Sequence, residues 1–75
     1  MSPTGVKKDK LFEKCLKISA RYDVISPDLI QRMLGIGYAS SCRLVDLMEK
    51  EGFVSEVIGA KEWKVDKQKI IKHFI

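Results

Sequence analysis

The chain has 75 residues, 45% of them hydrophobic and 32% charged, with 14 Lys and Arg against 10 Asp and Glu and a formal net charge of +4. That length holds one domain, and the composition is that of a packed domain and not of a disordered tail. No run of about 18 apolar residues exists, so no membrane contact is expected of this segment. The mild basic bias suits a polyanionic partner.

Residues 1–9 lack the apolar core of a signal peptide and read as a flexible lead-in to a domain at 10–75. A first helix is predicted over 8–21. Leu11, Cys15, Ile18 and Tyr22 recur there at helical spacing, widened by Phe12 and Leu16, while Lys10, Glu13, Lys14 and Lys17 take the other face. Residues 23–25 suit a short extended piece. Ser26 then has the chemistry of an N-cap, Pro27 suits the first helical position, and Asp28 complements the positive end of the helix dipole. Leu29, Ile30, Met33 and Leu34 form the second helix's apolar stripe, and Gly35 is placed to end it in a left-handed conformation.

Gly35, Ile36 and Gly37 make a turn into a third helix at 38–51. Its inward stripe is predicted as Tyr38, Cys42, Val45 and Met48, with Leu44 and Leu47 beside it. Ala39, Ser40, Arg43, Asp46 and Lys50 share the wet face. Gly52 suits the C-cap. Residues 53–58 and 62–65 read as a β-hairpin around 59–61. Asp66 can cap a last short helix in which Ile70, Ile71 and Phe74 face inward. The expected fold is mainly α with a small β-hairpin: a winged helix-turn-helix of three helices plus wing and a short C-terminal helix. Its core is expected at Leu16, Ile30, Leu34, Val45, Met48, Val54 and Val65.

Two cysteines and one histidine, His73, without metal-ligand spacing point to reduced, buried thiols in a cytoplasmic protein, with no metal and no cofactor. No nucleophile has a partnered base in the pattern and no G-x-x-x-x-G-K-[ST] occurs, so an enzyme is not expected.

The residues Leu-Ile-Gln-Arg-Met-Leu-Gly-Ile-Gly-Tyr at 29–38 and Arg-Leu-Val-Asp-Leu-Met-Glu-Lys-Glu-Gly at 43–52 resemble the γ domain of the FtsK/SpoIIIE DNA translocases. Leu11, Phe12, Val54, Gly59, Lys61 and Val65 fit the same pattern, so the resemblance covers roughly residues 10–66. It implies a winged helix that reads short G-rich polar sequences and orients a membrane-anchored motor during chromosome segregation and cell division. It also implies contact with a tyrosine recombinase in some members, and a translocase motor in the same or another chain. Arg43 matches the family's groove-facing arginine, and Asp46 stands where an acidic residue is common. Ala39 and Ser40 replace a base-reading Asn or Thr and an Arg after Tyr38.

The candidate DNA-binding residues follow from helix-turn-helix logic. Arg43 can fork onto guanine O6 and N7, and Asp46 can accept from a cytosine amine or pair with Arg43. Ser40 and Ser41, near the helix N-terminus, can donate to phosphates, and Tyr38 can place its hydroxyl there. Gln31 and Arg32 can clamp the backbone from the second helix, and Lys61 and Lys64 from the wing. The competing expectation is a protein-interaction winged helix with little DNA reading, in which Trp63 meets a partner. A continuous basic strip through Arg32, Arg43, Lys61 and Lys64 would favour DNA. Asp46, Glu49 and Glu62 interrupt it.

Overall fold

The structure, a computed structural model, describes residues 10–75. The flexible lead-in expected at 1–9, and the helix start expected at residue 8, lie outside the described residues. The elements in chain order are α1 (Lys10–Ser19), β1 (Val24–Ile25), α2 (Pro27–Leu34), α3 (Tyr38–Lys50), β2 (Val54–Val57), β3 (Glu62–Val65) and α4 (Lys67–Phe74). Helices dominate, and the strands form one small antiparallel sheet in the order β1-β3-β2. This arrangement is compatible with a winged-helix fold. It differs from the expected two-strand wing in one respect. The short segment before α2 pairs with β3, Val24 opposite Lys64 and Ile25 opposite Trp63, so β3 is the central strand of three.

Local chemistry sets the element boundaries. The Ser26 hydroxyl accepts from the Leu29 amide at 3.2 Å, and Pro27 follows in the first turn of α2. Gly35 closes that helix at φ 67°, with its own amide and that of Ile36 on the Gln31 carbonyl at 2.9 and 3.3 Å. At the end of α3 the Phe53 amide bonds Met48 O at 2.8 Å and the Gly52 amide bonds Glu49 O at 3.0 Å, a Schellman motif with Gly52 at φ 85°. That turn drops Phe53 into the core. Asp66 accepts from the Lys69 amide at 3.1 Å and starts α4.

The core joins α1 (Phe12, Cys15, Leu16), Ile25, α2 (Ile30), α3 (Leu44, Val45, Met48), Phe53, Val54 and α4 (Ile70), all buried. Five residues expected to face inward are instead exposed: Leu11, Met33, Tyr38, Ile71 and Phe74. In α1 the buried set is Phe12, Cys15, Leu16 and Ser19, so Leu11 falls just off the stripe. In α3 it is Ser41, Leu44, Val45 and Met48, a stripe rotated away from Tyr38 and Cys42. Small Ser41 permits that rotation because its hydroxyl donates to Gly37 O at 3.0 Å and leaves no buried polar atom unpaired. On α4, Ile70 alone reaches the core. Leu34 and Val65 are only partly buried, packed against the core's edge. His73 joins α4 to α1 by an Nε2–Oε2 contact of 3.0 Å to Glu13.

Candidate nucleic-acid interface

The outer surface of α3 is built from positions that the core stripe leaves free. Ala39, Ser40, Arg43, Asp46 and Lys50 are all exposed. Asp46 pairs with Lys50 at 3.4 Å and not with Arg43 as the spacing allowed. Among the described residues Arg43 makes no ion pair. Its guanidinium therefore stands with its five donors uncommitted, beside two short side chains that let another molecule come close. Ser41 departs from expectation. It is fully buried and its hydroxyl is spent on Gly37 O, so it cannot reach a phosphate.

Tyr38, expected on the inward stripe of α3, is 56% exposed. Its phenol sits beside the Cys42 thiol one turn on, and that hydrogen bond raises its ionisation above the ordinary 10.0. The hydroxyl is thus neutral and able to donate near neutral pH. On α2, Arg32 is held at 3.7 Å by Asp28 in a solvent-exposed i,i+4 pair. Gln31 is partly buried there.

The hairpin divides its lysines. Lys61, at the wing tip with φ 52°, borders a groove of about 550 Å³ that also touches Asp28, Tyr38, Cys42 and Trp63. Lys61 is therefore on the same side as α3. Lys64 is not. Side chains alternate along a strand, and Trp63 points to α3, donating its Nε1–H to Glu49 Oε1 at 3.2 Å. Lys64 therefore projects from the opposite surface of the sheet, beside Ser55, Lys67 and Gln68. The expected strip through Arg32, Arg43, Lys61 and Lys64 is consequently broken twice, by the Asp28 pair and by the sheet. Trp63, expected to face a partner in the competing reading, packs instead along α3 against the core's edge.

Glu49 is the residue that sequence reasoning missed. In the sequence it stands as an acid that interrupts a basic strip, and the structure makes it the acceptor that ties the wing to α3. Period two along 62–65 was the available signal, since it puts Trp63 and Lys64 on opposite sides.

Residues 6–66 match the family described as the Ftsk gamma domain. The chain belongs to this γ-domain family. The DNA translocase FtsK of Clostridium tetani is 40% identical over 58 residues, which are 77% of this chain and 8% of that protein. The DNA translocase SftA of Bacillus subtilis is 36% identical over 59 residues, 79% of this chain and 6% of its own length. The FtsK of Borreliella burgdorferi is 33% identical over 61 residues, 81% of this chain and 8% of its own. The γ domain thus spans less than a tenth of the relatives it matches, and the match covers no motor. No solved structure matches it. Helix α4 lies beyond the stretch that the family description covers.

Proposed function

We propose that this γ domain binds double-stranded DNA as a winged helix, with α3 entering the major groove and the wing tip resting on the flanking backbone. The observation that carries the reading is Arg43. It sits at mid-helix on the outer face of α3, exposed and without an ion pair among the described residues, next to Ala39 and Ser40. An arginine so placed can fork onto a guanine, the commonest specific contact in the major groove. Tyr38, Ser40 and Lys61 supply phosphate contacts around it, and Asp46 is near enough to take a cytosine amine once it releases Lys50. Gln31 and Arg32 reach the backbone from α2. Ala39 adds room and no hydrogen bond.

The family membership supports the same reading, because the relatives named above are DNA translocases. In that setting the domain serves a motor in the same or another chain, prefers G-rich polar sites and, as a further partner, touches a tyrosine recombinase. It works in the cytoplasm. The domain itself binds and does not catalyse.

The test is a salt-titrated binding assay on a G-rich duplex and a scrambled one. Affinity should fall steeply with salt, as counterion release requires, and should favour the G-rich site. Binding indifferent to salt, or none at all, would leave the protein-interaction module as the better account of the α3 surface.

A further inference from the structure

The positive charge of the chain is least diluted away from α3. On α3 and the hairpin, Arg43, Lys50 and Lys61 alternate with Asp46, Glu49 and Glu62, and Lys50 is paired. On α1 and α4 the pattern differs. Lys10, Lys14 and Lys72 are exposed and make no ion pair among the described residues. The Lys17 ammonium lies 5.4 Å from the centre of the Phe74 ring. Among the described residues on this side, Glu13 is engaged by His73 at 3.0 Å, Asp23 by Lys67 at 2.8 Å, and Asp66 as the cap of α4. Lys69 is likewise committed, to the Glu51 carbonyl at 2.7 Å.

Among these cations α4 shows apolar side chains to solvent. Ile71 is 54% and Phe74 40% exposed. Buried Ile70 fixes the rotation of the helix, so neither can turn inward. Apolar side chains ringed by unpaired lysines are the complement of a surface that is both acidic and apolar. The γ-domain match stops at residue 66, so nothing in that shared stretch accounts for α4.

We infer that the α1–α4 surface docks an acidic segment of a partner protein, whose carboxylates meet Lys10, Lys14, Lys17 and Lys72 while its apolar side chains cover Ile71 and Phe74. Duplex DNA matches the charge alone. It would set phosphates against Ile71 and the Phe74 ring, and burying charge on apolar surface is unfavourable. An anionic bilayer matches both properties but requires side chains that stand clear enough to enter the headgroup boundary. Ile71 and Phe74 are about half covered, with Lys17 across the Phe74 ring, and beside them Ile75 alone stands clear, a single side chain and not an inserting face. The inference shares no residue with the proposed DNA surface.

The experiment measures fluorescence anisotropy of a labelled synthetic peptide that pairs Glu with Leu and Phe at helical spacing. Poly-glutamate of equal charge, a random short duplex and phosphatidylserine vesicles are run beside it. The protein is compared with Lys14→Glu/Lys17→Glu and with Ile71→Ser, all exposed positions, and thermal melts confirm that each variant is folded. The amphipathic peptide should bind more tightly than poly-glutamate, and each variant should weaken it about tenfold while leaving duplex affinity in place. A peptide no better than poly-glutamate, or variants without effect, would overturn the inference. So would variants that weaken duplex or vesicle binding instead, since the surface would then belong to phosphate or lipid. Peptide binding by a wild type that binds no duplex would support this inference and count against the DNA reading.

Discussion

Arg43 and the two cysteines show how much depends on which way one side chain faces. Arg43 is exposed while Asp46 is drawn to Lys50, so the guanidinium enters any contact without first breaking an ion pair. Arg43→Ala should cost about 1–3 kcal/mol of discrimination at one guanine, because Ala39 and Ser40 offer no bidentate donor. Equal loss on a G-rich and a scrambled duplex would make Arg43 a phosphate contact. The thiols divide in the same way. Cys15 is buried against Met48, its Sγ 3.8 Å from the Met48 Sδ, and burial pushes its ionisation from 9.0 up to about 11. Cys42, expected to be buried as well, is only partly covered and lies in the groove beside Tyr38 and Trp63. A thiol reagent at neutral pH should therefore modify Cys42 first and reach Cys15 only on unfolding, because the thiolate is the reactive form. Comparable rates at both sites would contradict the packing. A pH dependence follows with a definite sign. The folded state raises the Cys15 value, so it holds that proton more tightly than the unfolded chain does. The stability this confers is complete below pH 9.0 and is lost as pH rises toward about 11. Denaturant melts across that window should fall more steeply for the wild type than for Cys15→Ala. Parallel slopes would show that Cys15 does not carry the effect.

At the scale of the element, a side-chain hydrogen bond from Trp63 to Glu49 ties the wing to α3. Trp63 sits on the central strand, between β1 and β2, so its attachment fixes where the tip and Lys61 stand relative to Arg43. Trp63→Phe keeps much of the apolar packing and removes the donor. Glu49→Gln keeps an acceptor, and Glu49→Ala removes it. Duplex affinity should drop several-fold in Trp63→Phe and Glu49→Ala and recover in Glu49→Gln, the loss expected of one hydrogen bond of about 1 kcal/mol. A higher affinity in Glu49→Ala would mean that the Glu49 charge repels DNA more than its hydrogen bond helps. The same geometry separates the wing lysines. Lys61→Ala should weaken all duplexes alike and flatten the salt slope by about one unit, while Lys64→Ala, on the far surface of the sheet, should do neither. Equal effects would mean that DNA wraps the sheet on both sides.

At the scale of the molecule, the elements that could be read from the sequence are those marked by residues of special chemistry. Ser26-Pro27 opened α2, Gly35 and Gly52 closed their helices, and Asp66 capped α4, each where expected. The rotation of each helix was harder to read, because apolar residues such as Leu11, Met33 and Tyr38 sit on stripe edges and only the neighbouring elements decide which edge is covered. The third strand was not legible as sheet. Two residues, Val24 and Ile25, carry no alternation, and their partner lies some forty positions on. The side-chain pairings at the candidate site were also out of reach, since Asp46 had two basic neighbours at helical spacing and Glu49 had a partner in another element. Helix α4 shows the same dependence on the whole. The family match ends at residue 66, yet the packing does not close there. Ile70 is 1% exposed in the central cluster, and the His73 ring stands edge-on to Phe53 at 5.4 Å between centroids. Removing α4 would open one side of the core over Phe53. Ile70→Ala should therefore cost about 2–4 kcal/mol in a denaturant melt, as much as Val45→Ala deep on α3, while Leu34→Ala, only partly buried, should cost less than either. An Ile70→Ala protein as stable as the wild type would mean that the domain is complete without α4. It would confine that helix to surface duty.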